Sequence, residues 1–232
     1  MTQKKIIFLI TPSTTEAVVT TTADENVEEN HILLPKAFED CGWEGTRTTH
    51  DAPGLGPQGI KLASNLAAHY DLIWPVGFGP QNGFLDRSGL LDSIAPGRLI
   101  TPISTQILQH GKSAWAEHCP ETHISNNPST FLKVLSAGQG SWVLKPMAGS
   151  FGRGVQVINA EQGPLLAKIF AQSPGNYFCL QRFLPEIIQG EIRTLVVGGE
   201  IIGSYLRKPT DGLHANLAQM ANAEKTTLEG PA

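Results

Sequence analysis

The stretch from residue 141 to residue 158, Ser-Trp-Val-Leu-Lys-Pro-Met-Ala-Gly-Ser-Phe-Gly-Arg-Gly-Val-Gln-Val-Ile, constrains this chain more than any other. Trp142, Val143 and Leu144 favour a strand, and Val155, Val157 and Ile158 favour the next. Between them lie Gly149, Gly152 and Gly154, and Lys145 closes the first strand. Glycine admits positive φ and lets backbone N–H groups come close to a ligand. Successive N–H groups in such a loop form an anion nest, and a lysine beside it would complete a polyphosphate site. Gly149 to Gly154 has the spacing of a Walker A loop, but Val155-Gln156 follows where Lys-Ser/Thr is required. A strand also follows where that motif needs a helix. Two readings stay open: a loop that holds phosphate, and an ordinary hairpin with a glycine tip.

Around this hairpin the chain reads as alternating strands and helices. Residues 6–10 are a short continuous apolar run, as in a buried parallel strand. Residues 11–30, rich in Thr and acidic side chains, read as a long loop, and 32–41 as a helix with Pro35 in its first turn and Gly42 at its stop. Residues 43–49 read as the next strand. Gly54-Leu-Gly56-Pro-Gln-Gly59 matches a dinucleotide fingerprint by letters alone, with no convincing strand before it and no acidic residue about 20 positions on. It reads instead as a loop leading into a helix over 60–69. A strand at 71–75, a glycine-rich loop over 76–84, a helix over 85–94 and a strand at 98–103 follow, and a helix starts at Thr105. Loops at the carboxyl ends of strands in such sheets are where ligands bind.

In the second half, 120–128 reads as irregular and 129–137 as a helix capped by Ser129. Beyond the central hairpin come a helix at 163–171, a strand at 177–183, and two strands at 191–197 and 200–206 joined by Gly198-Gly199, a strong hairpin signal. Glu191 and Arg193 stand two apart and project from one face. They form either a solvated cross-strand pair or a ligand-facing pair. The expected architecture is α/β: an N-terminal open parallel domain over 1–105, followed over 106–232 by a second, α+β domain.

Composition narrows the function classes. The 232 residues carry a net charge of −4, with no basic excess to attract nucleic acid or an acidic membrane. No apolar run approaches the roughly 20 residues that span a bilayer. Cys41, Cys119 and Cys179 are odd in number and widely spaced. They point to buried thiols in a reducing cytoplasm, not to disulfides or a metal cluster. His110, His118 and His123 read as packing or surface residues.

Taken together, these pieces resemble an ATP-grasp ligase, most closely the bacterial glutathione synthetase branch. The most specific stretch is Cys179-Leu-Gln-Arg-Phe-Leu-Pro-Glu-Ile-Ile-Gln-Gly-Glu-Ile-Arg193-Thr-Leu-Val-Val-Gly-Gly-Glu200. The family has a similar hinge, acidic-Gly turn, arginine and Val-Val-x-Gly-Glu hairpin. The resemblance implies that Lys112 and Lys145 bind ATP phosphates beneath a lid of Gly149, Ser150, Phe151, Gly152 and Gly154. It implies that Gln181, Arg182, Phe183 and Leu184 form a hinge whose backbone reads the adenine edge, and that Glu191 takes the ribose hydroxyls. Arg193 and Arg207 would face the phosphates or the acyl phosphate, and Asn216 would stand beside the reacting carboxylate. The implied partners are small amino-acid or peptide substrates, with ATP and Mg²⁺, and a homo-oligomer is compatible with the resemblance.

Two departures accompany it. Where the synthetase has arginine-glycine-asparagine and a glycine-rich run, this chain has His214-Ala-Asn216 followed by Gln219, Met220, Ala221 and Asn222. Histidine does not reliably carry the charge or the bidentate donors of arginine. The family's metal-binding acids and asparagine are also expected beyond Ala232, so the nucleotide domain reads as C-terminally truncated. A non-catalytic nucleotide-binding module and another ligase of the group, such as a glutamate ligase, are the alternatives to a glutathione synthetase-like enzyme.

Overall fold

The computed structural model of the chain describes residues 3–10, 25–80, 82–109, 111–138, 140–147, 152–211 and 221–226. Its backbone divides into two units, Met1–His110 and Gly111–Ala232.

In the first unit, β1 (Lys5–Ile10) lies between β2 (Glu44–Thr49) and β6 (Leu72–Pro75), all parallel. Both faces of β1 are covered, which is why its sequence is continuously apolar. Ile7 and Leu9 join Leu62, Ile73 and Leu91 in one core. Phe8 turns the other way, into an aromatic cluster with Phe38 at 5.6 Å and Trp74 at 6.0 Å between ring centroids. Each fully buried side chain of this kind contributes roughly 1.5–3 kcal/mol.

Phe38 comes from α1 (Glu25–Asp40), and this helix corrects two expectations. It begins within the segment expected to be a loop, so Pro35 lies inside the helix and not in its first turn. Acidic residues in a polar stretch look like loop signals. Glutamate is in fact a good helix former and suits the positive end of the helix dipole. The stop is as expected. Gly42 has φ +85°, its N–H donates to Glu39 O at 2.8 Å, and Trp43 N–H donates to Phe38 O at 3.0 Å. These are the paired bonds of a Schellman cap.

The segment expected as a helix over 60–69 is not one. β3 (Pro53–Gly56) and β4 (Gly59–Leu62) form a hairpin, β5 (Asn65–Leu66) adds to it, and a 3-10 turn, Ala67–His69, follows. Ile60 and Leu62 are buried while Lys61 is exposed, a period of two. The fingerprint-like glycines therefore sit in a strand–turn–strand. The strand expected at 98–103 shrinks to a single parallel bridge, Ile73 to Leu99. Thr101 has φ +64°, Pro102 follows, and α3 (Ile103–Gln109) begins at once. α2 (Phe84–Asp92) lies close to its expected place.

The second unit holds an antiparallel sheet in the order β7-β10-β8-β9. Its strands are β7 (Thr122–Ser125), β8 (Trp142–Pro146), β9 (Gln156–Ile158) and β10 (Phe178–Arg182). β7 was expected to be irregular; pairing with β10 orders it. α4 (Pro128–Ala137) and α5 (Gly163–Gln172) bury Phe131 with Leu135 and Leu166 with Phe170. Both pairs have the i, i+4 spacing of one helix face. They meet Trp142, Leu144, Ile158, Phe178 and Leu180 in a second core. The cap of α4 is Asn127, not Ser129: its Oδ1 accepts from Ser129 N–H at 2.9 Å, with Pro128 at the first helical position.

A three-stranded antiparallel sheet follows: β11 (Glu191–Val197), β12 (Glu200–Lys208) and β13 (Asn222–Thr226). The Gly198-Gly199 turn stands where it was expected, with φ of +60° and +88°. Among the cysteines only Cys179 is buried; Cys41 and Cys119 are exposed, against the expectation of three buried thiols. No helix among the described residues is long and apolar enough to cross a membrane.

Candidate functional site

The alternation of the four-stranded sheet creates the site. On β10, Phe178 and Leu180 enter the helix-covered core, so Cys179 and Gln181 project from the opposite face. Cys179 is the register partner of Lys145 on β8, and Gln181 that of Thr122 on β7. Lys145, Cys179, Gln181 and Thr122 are thus gathered on one face of three adjacent strands. Sequence spacing alone could not bring Thr122 there.

Lys145 Nζ donates to Gln181 Oε1 at 2.7 Å. Gln181 Nε2 donates to Thr122 Oγ1 at 2.9 Å, and Thr122 Oγ1 donates to the Pro120 carbonyl at 2.6 Å. Lys112 Nζ donates to Met147 O at 3.0 Å, two residues past Lys145. Lys112 Nζ therefore sits at the end of β8, near enough to Lys145 for the two charges to oppose. Partial burial lowers the pKa of Lys112, as does the charge of Lys145, while Cys179 acts the other way. Burial raises the pKa of the Cys179 thiol against the pull of Lys145 and Lys112.

The glycine loop returns close beside this site. Gly149, Ser150 and Phe151 lie outside the described residues, whereas Gly152 and Gly154 have φ of +72° and +71°. A Cβ on Gly154 would come within 3.0 Å of Pro146 Cγ, so both conformation and space call for glycine.

Within the stretch expected to be the hinge, the four residues part. Gln181 turns to the lysine face. Arg182 turns to the other side, where its guanidinium stacks 4.1 Å from the Trp142 ring centroid and Nη2 donates to Glu121 Oε2 at 2.9 Å. His123 Nε2 lies 3.1 Å from the other Glu121 oxygen. The hydrogen bonds from His123 and Arg182 hold the Glu121 carboxyl below the usual carboxylate range. Arg182 N–H donates to Glu121 O and Phe183 N–H to Ser141 O, so both serve the sheet, and the Leu184 side chain is exposed. A shallow groove of about 440 Å³ lies on this helix side, lined by Glu121, His123, Lys133, Trp142 and Arg182 among others. It is not the lysine face.

Glu191, Arg193 and Arg207 stand in the three-stranded sheet. Glu191 and Arg207 are register partners and form an ion pair, Oε1 to Nη2, with Arg207 mostly buried. Burial lowers the Arg207 pKa, and its Nε is buried with no hydrogen-bond partner among the described residues. Arg193 shares the Glu191 face by alternation but is paired in register with Tyr205. Gly190 sets the start of this strand: at φ +107° a Cβ there would meet Arg207 O at 2.8 Å. Asn216 lies outside the described residues. No group of three or more His, Cys, Asp or Glu side chains that could hold a metal ion occurs among the described residues.

Solved structures share this fold. A D-cycloserine synthetase superposes with a TM-score of 0.68 at 15% identity, over 97% of this chain and 76% of the other. An ATP-grasp RimK domain protein from Sphaerobacter thermophilus DSM 20745 does so with a TM-score of 0.62 at 17% identity, over 89% and 74%. Residues 111–231, just over half of the chain, match the family described as prokaryotic glutathione synthetase, ATP-grasp domain, and the chain belongs to that family. It is 36% identical over 103 residues to the glutathione synthetase of Parasynechococcus marenigrum strain WH8102, 43% of this chain and 34% of that protein. It is 28% identical over 191 residues to that of Synechococcus elongatus, 77% of this chain and 57% of that protein. The chain thus spans from about a third to just over half of these relatives' lengths.

Proposed function

We propose that this chain carries the nucleotide-binding part of an ATP-dependent carboxylate–amine ligase resembling glutathione synthetase. The observation that supports it best is the neighbourhood of two lysines: Lys112 at the carbonyl just past β8, and Lys145 on the sheet face opposite the helices. Two neighbouring ammonium groups repel each other, and an anion between them relieves that repulsion. A polyphosphate would offset that repulsion, and the N–H groups near Gly152 and Gly154 would add donors.

ATP would supply the phosphoryl group. A substrate carboxylate oxygen would form a bond to the γ-phosphorus as the bond to ADP breaks. An amine would then attack the acyl carbon, phosphate would leave, and the nitrogen would lose a proton. Lys112 and Lys145 would offset the charge on the transferred group. Arg193, Arg207 and Asn216 are proposed to face the reacting groups, Glu191 the ribose, and the hinge over Gln181, Arg182, Phe183 and Leu184 the adenine edge. Of the hinge N–H groups, that of Leu184 suits this role, because those of Arg182 and Phe183 serve the sheet. Mg²⁺ is implied by the family alone, since among the described residues no group of three or more His, Cys, Asp or Glu side chains could hold it.

Residues 1–105 are proposed as the substrate domain and 106–232 as the nucleotide domain, in a cytoplasmic protein acting on small amino-acid or peptide substrates. The test is calorimetric binding of ATP and ADP, followed by ADP release with γ-glutamylcysteine plus glycine and with other amino-acid pairs. Binding together with substrate-dependent turnover is the expected result. Binding without turnover on any pair would reduce the proposal to a nucleotide-binding module, and absence of binding would overturn it.

A further inference from the structure

The hydrogen bonds that reach Lys145 run in one direction only. A peptide carbonyl can accept but never donate, so the Pro120 oxygen, 2.6 Å from Thr122 Oγ1, takes the single hydroxyl proton of Thr122. Oγ1 can then only accept from its other neighbour. The Gln181 atom facing it at 2.9 Å must be the amide nitrogen, which turns the amide oxygen towards Lys145 at 2.7 Å. The ammonium has donors and no acceptor, so this end also has one solution. An amide orientation that is ordinarily ambiguous is here settled by a backbone carbonyl two links away.

The relay crosses three strands on one face: Thr122 and Gln181 are direct register partners on β7 and β10, and Lys145 on β8 is the diagonal neighbour of Gln181. It also answers a difficulty within the site. Lys145 lies close enough to Lys112 for their charges to oppose, and a lysine side chain loses rotamer entropy when it is held.

We propose that Thr122, anchored on the Pro120 carbonyl, is a positioning residue that locks the Gln181 amide and thereby holds the Lys145 ammonium ready for a polyphosphate. This rests on the reading of the lysine face as a nucleotide site. Thr122 touches no ligand in this scheme and acts through Gln181.

The substitution Thr122→Val keeps the shape and the β-branch but removes both donor and acceptor. Calorimetry with ADP and with inorganic tripolyphosphate should show about a fivefold to tenfold loss of affinity for both, because Lys145 faces the phosphates. Thr122→Ser should restore most of it. In a Lys145→Met background Thr122→Val should cost less than about twofold, since its effect passes through that ammonium. An equal loss with and without Lys145, or failure of serine to rescue, would overturn the relay. A ligand-free readout separates this from the nucleotide reading: mass-spectrometric rates of reductive methylation. Lys145 should be labelled at least about threefold faster in Thr122→Val, with Lys61 and Lys168 unchanged as references. If wild-type protein binds neither ADP nor tripolyphosphate, the nucleotide reading falls while the labelling still decides the relay. An unchanged Lys145 rate sinks the relay whatever binds.

Discussion

The two faces of the β7-β10-β8-β9 sheet share a backbone and differ in almost everything else. On one, Phe178, Leu180, Trp142 and Leu144 pack against Phe131 and Phe170. On the other, one residue along each strand, stand Lys145, Cys179, Gln181 and Thr122. Period-two alternation keeps the two sets apart. The helix-covered face holds the sheet in place, and the polar face can then carry lysines whose charges oppose because the scaffold does not depend on them. Stability and chemistry are thus expected to separate by substitution.

The largest break should come from the covered face. Phe131→Ala removes a side chain with no exposed surface and should cost about 3–5 kcal/mol of unfolding free energy in a denaturant titration. Nucleotide affinity of the remaining folded protein should stay within about threefold of wild type. A smaller and opposite result is expected from Lys145→Met. ADP affinity should fall roughly 30-fold, about 2 kcal/mol, while the unfolding midpoint scarcely moves. If the two substitutions changed binding and stability in parallel, the separation of the faces would be wrong.

Cys179 sharpens the comparison, because it lies on the polar face and is still buried. With its thiol pushed up by burial, it should react with a maleimide at pH 7 at least about tenfold more slowly than exposed Cys41 and Cys119. Saturating ADP should slow it further.

The smallest effect concerns Glu121, on the helix side. Its carboxyl is held low by His123 and Arg182. It therefore adds stability above the ordinary carboxylate pKa of about 4.3, and that contribution is lost as pH falls through the lowered value. Wild type should have a slightly higher unfolding midpoint than Glu121→Gln at pH 6, and the two should converge once pH falls below the lowered value.

Much of this was legible in the chain. The apolar runs of β1, β8 and β10, the Gly198-Gly199 hairpin and the i, i+4 pairs of α5 are local patterns, and local patterns survive folding. The errors arose where two signals compete. Acidic residues at the start of α1 look like loop but suit a helix N-terminus. Ile60-Lys-Leu62 is too short to tell period two from period 3.6. Thr122–Ser125 is ordered as a strand by pairing with β10. At the candidate site, Lys145 beside the glycine loop was legible in the residues and Lys112 only through the family resemblance, whereas the turning of Arg182 onto Trp142 and away from Gln181 was not legible at all.

The order and residue types of this chain already determined that a lysine-flanked glycine hairpin and a Gly-Gly hairpin would form, because turn chemistry and side-chain periodicity act over a few residues. Only the tertiary structure decided that Thr122, 59 positions from Gln181, would fix that amide. It likewise decided that Lys112 would reach the carbonyl just past Lys145, because strand order and register are settled by burying a whole sheet face and not by any one segment.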